Sequence, residues 1–166
     1  MSQENPAPDY IHNGLTLPEI LEAGVSESCE FLSTIPEEDI EFAKVCTGLA
    51  NHEGGVILLG VDPDGAVTGL TDAEEVLVNV STILDEHSEP VPEYSSKEEQ
   101  YNGEKIVIIS VPEHDYLPHA VTWDEEAGES GKETYYVFYK RRDRFQRQIG
   151  PYQIWRLMPD NESSDA

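Results

Sequence analysis

The stretch Ala50-Asn51-His52-Glu53-Gly54-Gly55-Val56-Ile57-Leu58-Leu59-Gly60-Val61-Asp62-Pro63-Asp64-Gly65-Ala66-Val67-Thr68-Gly69 decides the fold. It reads as a helix end, a glycine stop, an apolar strand over 56–61, and a Pro-Asp-Gly reversal into a return strand over 66–70. An apolar run without polar alternation suits a strand covered on both faces, so this strand sits inside a sheet with helices packed against it.

Upstream, Leu17 to Ala23 carries Pro18 at its start and Gly24 after its end, the marks of a short helix, and Ser26 to Thr34 reads as a strand. Thr34-Ile35-Pro36-Glu37 forms a capping-box pattern for a helix reaching about His52, with Ile40, Ala43, Cys46, Leu49 and Ala50 on its packed face and Glu38, Glu41 and Lys44 opposite. Downstream, Thr71 caps a helix through about His87, with Val76, Val80, Ile83 and Leu84 as its stripe. A Glu89-Pro90-Val91-Pro92 connector leads to a hairpin, 93–100 against 105–111, turning at Asn102-Gly103. A further strand pair, 119–123 and 134–141, flanks an acidic, Gly-rich loop at 124–133 that is expected to be mobile, and a short helix spans 151–158. The expectation is an α+β fold with a mixed, mostly antiparallel sheet and packed helices, as one domain over 15–158 between flexible tails at 1–14 and 159–166.

The charge is lopsided. Thirty-four Asp and Glu oppose 10 Lys and Arg, for a net charge of -24 and a pI near 4.2. A folded domain so charged repels itself in dilute buffer, so either strong salt or a cationic partner must screen it, and the expected remedy is the salt of a halophile's cytoplasm. The bases nevertheless cluster: residues 137–156 hold Lys140, Arg141, Arg142, Arg144, Arg147 and Arg156 against Asp143 alone, a net +5, while the other 146 residues stand at -29. A basic window kept against that bias points to an anionic ligand, nucleic acid above all, or to pairing with acidic neighbours within the molecule. Tyr136, Phe138, Tyr139, Phe145 and Tyr152 interleave with the bases, and Arg can fork onto phosphate or stack on a base. Lys140 and Arg142 share one face of a continuing strand and Arg141 takes the other, with Arg144 and Arg147 in the loop that follows.

No window approaches 18 apolar residues and the N-terminus lacks a signal-peptide pattern, so neither a membrane span nor a secretory signal is expected, and the location is read as cytoplasmic. Cys29 and Cys46 lie in apolar stretches and read as buried thiols. The histidines do not join them at zinc spacing, no metal is expected, and His114, Asp115 and His119 read as a surface turn. A G-x-x-x-x-G-K-[ST] loop is absent, since Gly128 to Glu133 contains Gly-Lys but ends in Glu133 without a strand-to-helix setting.

The opening stretch is similar to the signature of the Schlafen AlbA_2 family, A-F-A-N-x-x-G-G-x-L-L-I-G-V-x-D-x-G-x-V-x-G. Ser26-Glu27-Ser28-Cys29-Glu30-Phe31 resembles that family's E-S-x-x-x-E-F-K segment, Val107 to Pro112 its V-I-x-V-P strand, and Tyr136 to Arg142 its Y-Y-x-R segment. The resemblance spans about residues 17–158 and implies a DNA-binding domain. In members that cut RNA it also implies a three-carboxylate Mg²⁺ or Mn²⁺ site, here reduced to Glu30 with Asp62 or Asp64, because the first Glu is replaced by Val25 and the segment's Lys by Leu32. Glu27 cannot stand in for Val25 on a regular strand, because it points away from Glu30.

The resulting expectation is a non-catalytic nucleic-acid-binding module, DNA ahead of RNA, acting as a stand-alone transcriptional regulator. Lys140, Arg141, Arg142, Arg144 and Arg147 would hold phosphates without any cofactor. The alternatives are a Schlafen-type endoribonuclease using Glu30, Asp62 and Asp64 with Mg or Mn, a nucleotide-binding (ATP) domain, and a protein-interaction domain. Relatives often continue into helix-turn-helix or ATPase regions, whereas this sequence ends at residue 166, so regulatory output is expected through partners or a homo-oligomer.

Overall fold

A computed structural model of the chain describes residues 10–113 and 118–159. In chain order the elements are β1 (Tyr10–His12), β2 (Leu15–Thr16), α1 (Leu17–Ala23), β3 (Cys29–Leu32), α2 (Asp39–Ala50), β4 (Gly55–Leu59), α3 (Ala73–His87), β5 (Ser88–Glu89), β6 (Ser95–Tyr101), β7 (Glu104–Val111), β8 (Ala120–Glu126), β9 (Lys132–Arg142), β10 (Phe145–Gln148) and α4 (Pro151–Leu157). β1 lies inside the segment expected to be a tail, where it pairs antiparallel with β2. The remaining strands make two four-stranded sheets, ordered β3-β4-β7-β6 and β10-β9-β8-β5. Every pairing is antiparallel except β3 with β4. The architecture is therefore α+β and mostly antiparallel as expected, with the sheet divided in two.

All five residues of β4 are buried, and their alternation explains why. Ile57 and Leu59 pack with α2 and α3, while Val56 and Leu58 join Leu17 and Ile20 of α1 and Phe31 of β3 in a second cluster. β7 divides likewise, Val107, Ile109 and Val111 one way and Ile106 and Ile108 the other.

Helix α2 lies between the sheets. Phe42, Ala43, Val45, Cys46, Leu49 and Ala50 are all buried, so the expected half-exposed helix is instead enclosed on most sides by α3, β7, β8, β9 and β10. It starts at Asp39, with Glu38 as its N-cap residue, rather than at the Thr34 capping box. It ends as expected: Gly54, at φ +76, donates its N–H to the Leu49 carbonyl. A Cβ at Gly54 would also lie 2.4 Å from the Val111 carbonyl, so the stop doubles as a close approach to β7.

Three further expectations change. Asp72, not Thr71, caps α3, accepting from the Glu75 N–H at 3.0 Å. The Asp62–Gly65 reversal forms, but 66–70 makes only a Val61–Val67 bridge, because the N–H groups of Thr68 and Gly69 both turn back to the Gly60 carbonyl. The acidic loop at 124–133 is mostly ladder: β8 and β9 pair out to Glu126 and Lys132 across a 3₁₀ turn at Gly128–Ser130. No helix among the described residues is long and apolar enough to cross a membrane.

Candidate nucleic-acid interface

The basic window folds into the β9–β10 hairpin at one edge of the second sheet. Asp143, at φ +57, helps the chain turn, and Arg144 follows it. Arg147, expected in a loop, instead lies in β10 directly opposite Lys140, while Phe145 faces Arg142 and Gln146 faces Arg141. Directly paired residues share a face, so Lys140, Arg142, Phe145 and Arg147 form one side of the hairpin and Tyr139, Arg141, Gln146 and Gln148 the other. On the first side Arg142 and Arg147 are exposed, Lys140 is half-buried and Phe145 is 68% exposed.

The second side turns toward α2. Tyr139 packs against the core there and Trp123 stacks on Tyr135, their ring centroids 5.5 Å apart. Gly48 of α2 permits the approach, since a Cβ there would lie 2.6 Å from Gln146 Cγ.

Arg141 departs from its expected role. It is 1% exposed, and its guanidinium donates to the Ser26 and Cys29 carbonyls, to Glu30 Oε2 at 2.8 Å and to the Gln146 amide oxygen. It is the intramolecular partner of an acid, not an outward phosphate contact. Strand alternation sends position 141 inward. Glu30 meets it because Cys29 and Phe31 fill the α1-side cluster, leaving Glu30 on the β3 face toward α2. Burying both charges costs desolvation that the pair offsets only with this full set of hydrogen bonds.

The carboxylates implied for metal-dependent cleavage are committed elsewhere. Glu30 is paired with Arg141, Asp62 accepts from the Ser33 hydroxyl, and Asp64 accepts from the Ala66 N–H at 2.9 Å within its own turn. A guanidinium occupies the charge-compensating place that a cation would take at Glu30, so these residues do not fit the Mg or Mn group. Among the described residues the group of three with metal-ligand spacing is Asp39, Glu86 and His87, at the start of α2 and the end of α3.

A groove of about 380 Å³ opens beside the hairpin, lined by Lys140, Arg142 and Arg147 together with His52, Gln148 and Gln153. His52 Nε2 lies 3.5 Å from the exposed Glu27 carboxylate. Lys44 is held at Glu41, 2.9 Å away, and over the Tyr139 ring, and the Glu41 contact raises its pKa. Both cysteines are buried free thiols as expected. Burial, with Glu30 adding to it, pushes Cys29 up to about 12, and burial alone raises Cys46.

One structural residue went unread in the sequence. Asn51, 3% exposed at the end of α2, donates to the His119 and Tyr139 carbonyls and accepts from the His119 N–H. It fastens the helix to both strands of the hairpin β8–β9. Its signal was the Asn of the Ala-Asn-x-x-Gly-Gly run, where an amide can both donate and accept. His119, expected in a surface turn, is consequently buried, while His114 and Asp115 lie outside the described residues.

The Schlafen AlbA_2 family profile matches residues 26–149, three quarters of the chain, and the chain belongs to this family. Among solved structures, the DIP2311 protein from Corynebacterium diphtheriae is similar over 79% of this chain at 16% identity, with a TM-score of 0.50. The N-terminal domain of a RecG-related protein from Nitrosomonas europaea is similar over 53% of the chain at 22% identity, with a TM-score of 0.43. The chain spans 23% of the first structure and 63% of the second, less than two thirds of either. The likeness to DIP2311 concerns the fold alone. No match is found among curated proteins.

Proposed function

We propose that this chain is a non-catalytic nucleic-acid-binding module, DNA ahead of RNA, and that the outward side of the β9–β10 hairpin is its contact surface. Lys140, Arg142 and Arg147 meet phosphates from the strands and Arg144 from the turn; Arg141 holds the hairpin in place from behind. The observation that carries the reading is a cationic strand face in a chain whose other 146 residues stand at -29. Cations on a regular strand and tight turn hold a fixed spacing, which suits a backbone-directed contact with little base readout. The Schlafen AlbA_2 membership supports a nucleic-acid role, and the commitment of Glu30 to Arg141, of Asp62 to Ser33 and of Asp64 to its own turn favours binding over cleavage.

Fluorescence anisotropy of labelled DNA and RNA across a KCl series tests this, comparing wild type with an Arg142→Glu/Arg147→Glu variant. Four phosphate contacts predict that log affinity falls with log salt at a slope of about -3.6 for duplex DNA and about -2.8 for a single strand. The variant should bind at least tenfold more weakly while remaining folded. Binding that is insensitive to salt, or unchanged in the variant, would refute the assignment.

A further inference from the structure

We infer that the ligand of this surface is single-stranded, its unpaired bases stacking on exposed aromatic rings of the same sheet face. The inference rests on the nucleic-acid reading above and adds the strandedness that reading leaves open. Register carries it. Tyr136 and Phe138 lie on the same side of β9 as Lys140 and Arg142, because alternate residues share a face, and Phe145 and Arg147 join them from β10 through their pairing with Arg142 and Lys140. At about 3.3 Å per residue the stripe from Tyr136 to Arg142 is about 20 Å long. Along it stand an aromatic, a second aromatic, the Lys140–Arg147 pair, and the Arg142–Phe145 pair.

Two of these rings are placed for a ligand rather than for packing. Phe145 is 68% exposed and Tyr136 is 55% exposed, whereas Trp123 and Tyr139, on the opposite side of the sheet, pack against the core. A duplex keeps the faces of its bases inside the stack and presents phosphates outward, so beside it an exposed Phe gains nothing from stacking. An unpaired strand presents phosphates and base faces together, and an aromatic ring beside an arginine accepts both without regard to sequence. Charge complementarity supports a polyanionic occupant, because the rings stand among three cations in a strongly acidic molecule, and the exposed rings then distinguish the unpaired strand from the duplex.

The experiment uses labelled twelve-nucleotide oligo-dT, oligo-U and a twelve-base-pair duplex, titrated with wild type, Phe145→Ala, Tyr136→Ala and Arg142→Ala/Arg147→Ala. Both rings are exposed, and urea midpoints confirm that each variant folds. The expected result is that the single strands bind more tightly than the duplex. Each aromatic truncation should weaken single-strand binding about tenfold and leave the duplex unchanged. Preference for oligo-dT or oligo-U then separates DNA from RNA within the supported class. If the arginine variant loses binding but Phe145→Ala and Tyr136→Ala do not, the stacking inference falls and the phosphate-binding function stands. A duplex bound as tightly as the single strands also overturns it. If no probe binds, both readings fail. A drop in molar mass by light scattering in Phe145→Ala, with affinity unchanged, would reassign the ring to contact with a second copy of the chain.

Discussion

Replacing Arg141 by Met retains most of the aliphatic volume and removes the guanidinium. In the folded protein this strips Glu30 of its cation and takes donors from the carbonyls of Ser26 and Cys29 and from the amide of Gln146. The Glu30 side chain is only 14% exposed, so water cannot fully replace what is lost. Removing one partner of such a buried pair costs about 3–5 kcal/mol, a large share of the ~5–15 kcal/mol that holds a domain of this size together. Arg142→Met is the internal control: the neighbouring residue is exposed and should change stability by no more than about 0.5 kcal/mol. Urea unfolding at fixed high KCl, followed by circular dichroism, measures both, and an unchanged m-value would assign the difference to stability. A double variant, Glu30→Met/Arg141→Met, should be more stable than Arg141→Met alone, because deleting both charges leaves neither unpaired. Equal midpoints for Arg141→Met and Arg142→Met, or a double variant no more stable than Arg141→Met, would sink the assignment of Arg141 as an internal tie.

Three other outcomes follow from the same geometry. Asn51→Ala removes three buried hydrogen bonds and should cost about 3 kcal/mol in the same assay; a loss below about 1 kcal/mol would mean that the helix is held to β8 and β9 by apolar packing alone. With its folded thiol raised by burial above the ordinary value of 9.0, Cys46 keeps its proton in the native state after the unfolded chain has lost it. This thiol should therefore leave stability unchanged below about pH 9 and lower it above, by up to about 1.4 kcal/mol per pH unit, and Cys46→Ala should show the shallower alkaline slope. With a net charge of -24, raising KCl from 0.1 M to 1 M shortens the screening length from about 10 Å to about 3 Å and should raise the urea midpoint, whereas a midpoint that is flat or falls with KCl would count against self-repulsion that salt must screen.

Elements governed by local chemistry were legible in the chain. Leu17–Ala23 announced itself through Pro18 and Gly24, the apolar 56–61 run through its lack of alternation, and β6–β7 through Asn102-Gly103. What was missed depended on distant partners. The burial of α2 on most of its surface is set by β8, β9 and β10, and the helix sequence does not say that a second sheet will cover it. β10 has only four residues, polar apart from Phe145, and becomes a strand because β9 offers it an open edge. Within the candidate site, strand alternation separated Arg141 from Lys140 and Arg142 correctly. It could not say which side faced solvent, because that depends on Glu30, 111 residues away along the chain.

The strict alternation of the β9–β10 hairpin divides labour between neighbouring residues. Positions 139, 141 and 146 answer to the interior, whereas Arg142, Phe145 and Arg147 stand in solvent. If the proposed function holds, a change of preferred ligand would be written in the outward letters of one hairpin without rewriting the anchor behind them. The surface is a replaceable face on a fixed mount, and engineering its selectivity requires no redesign of the fold.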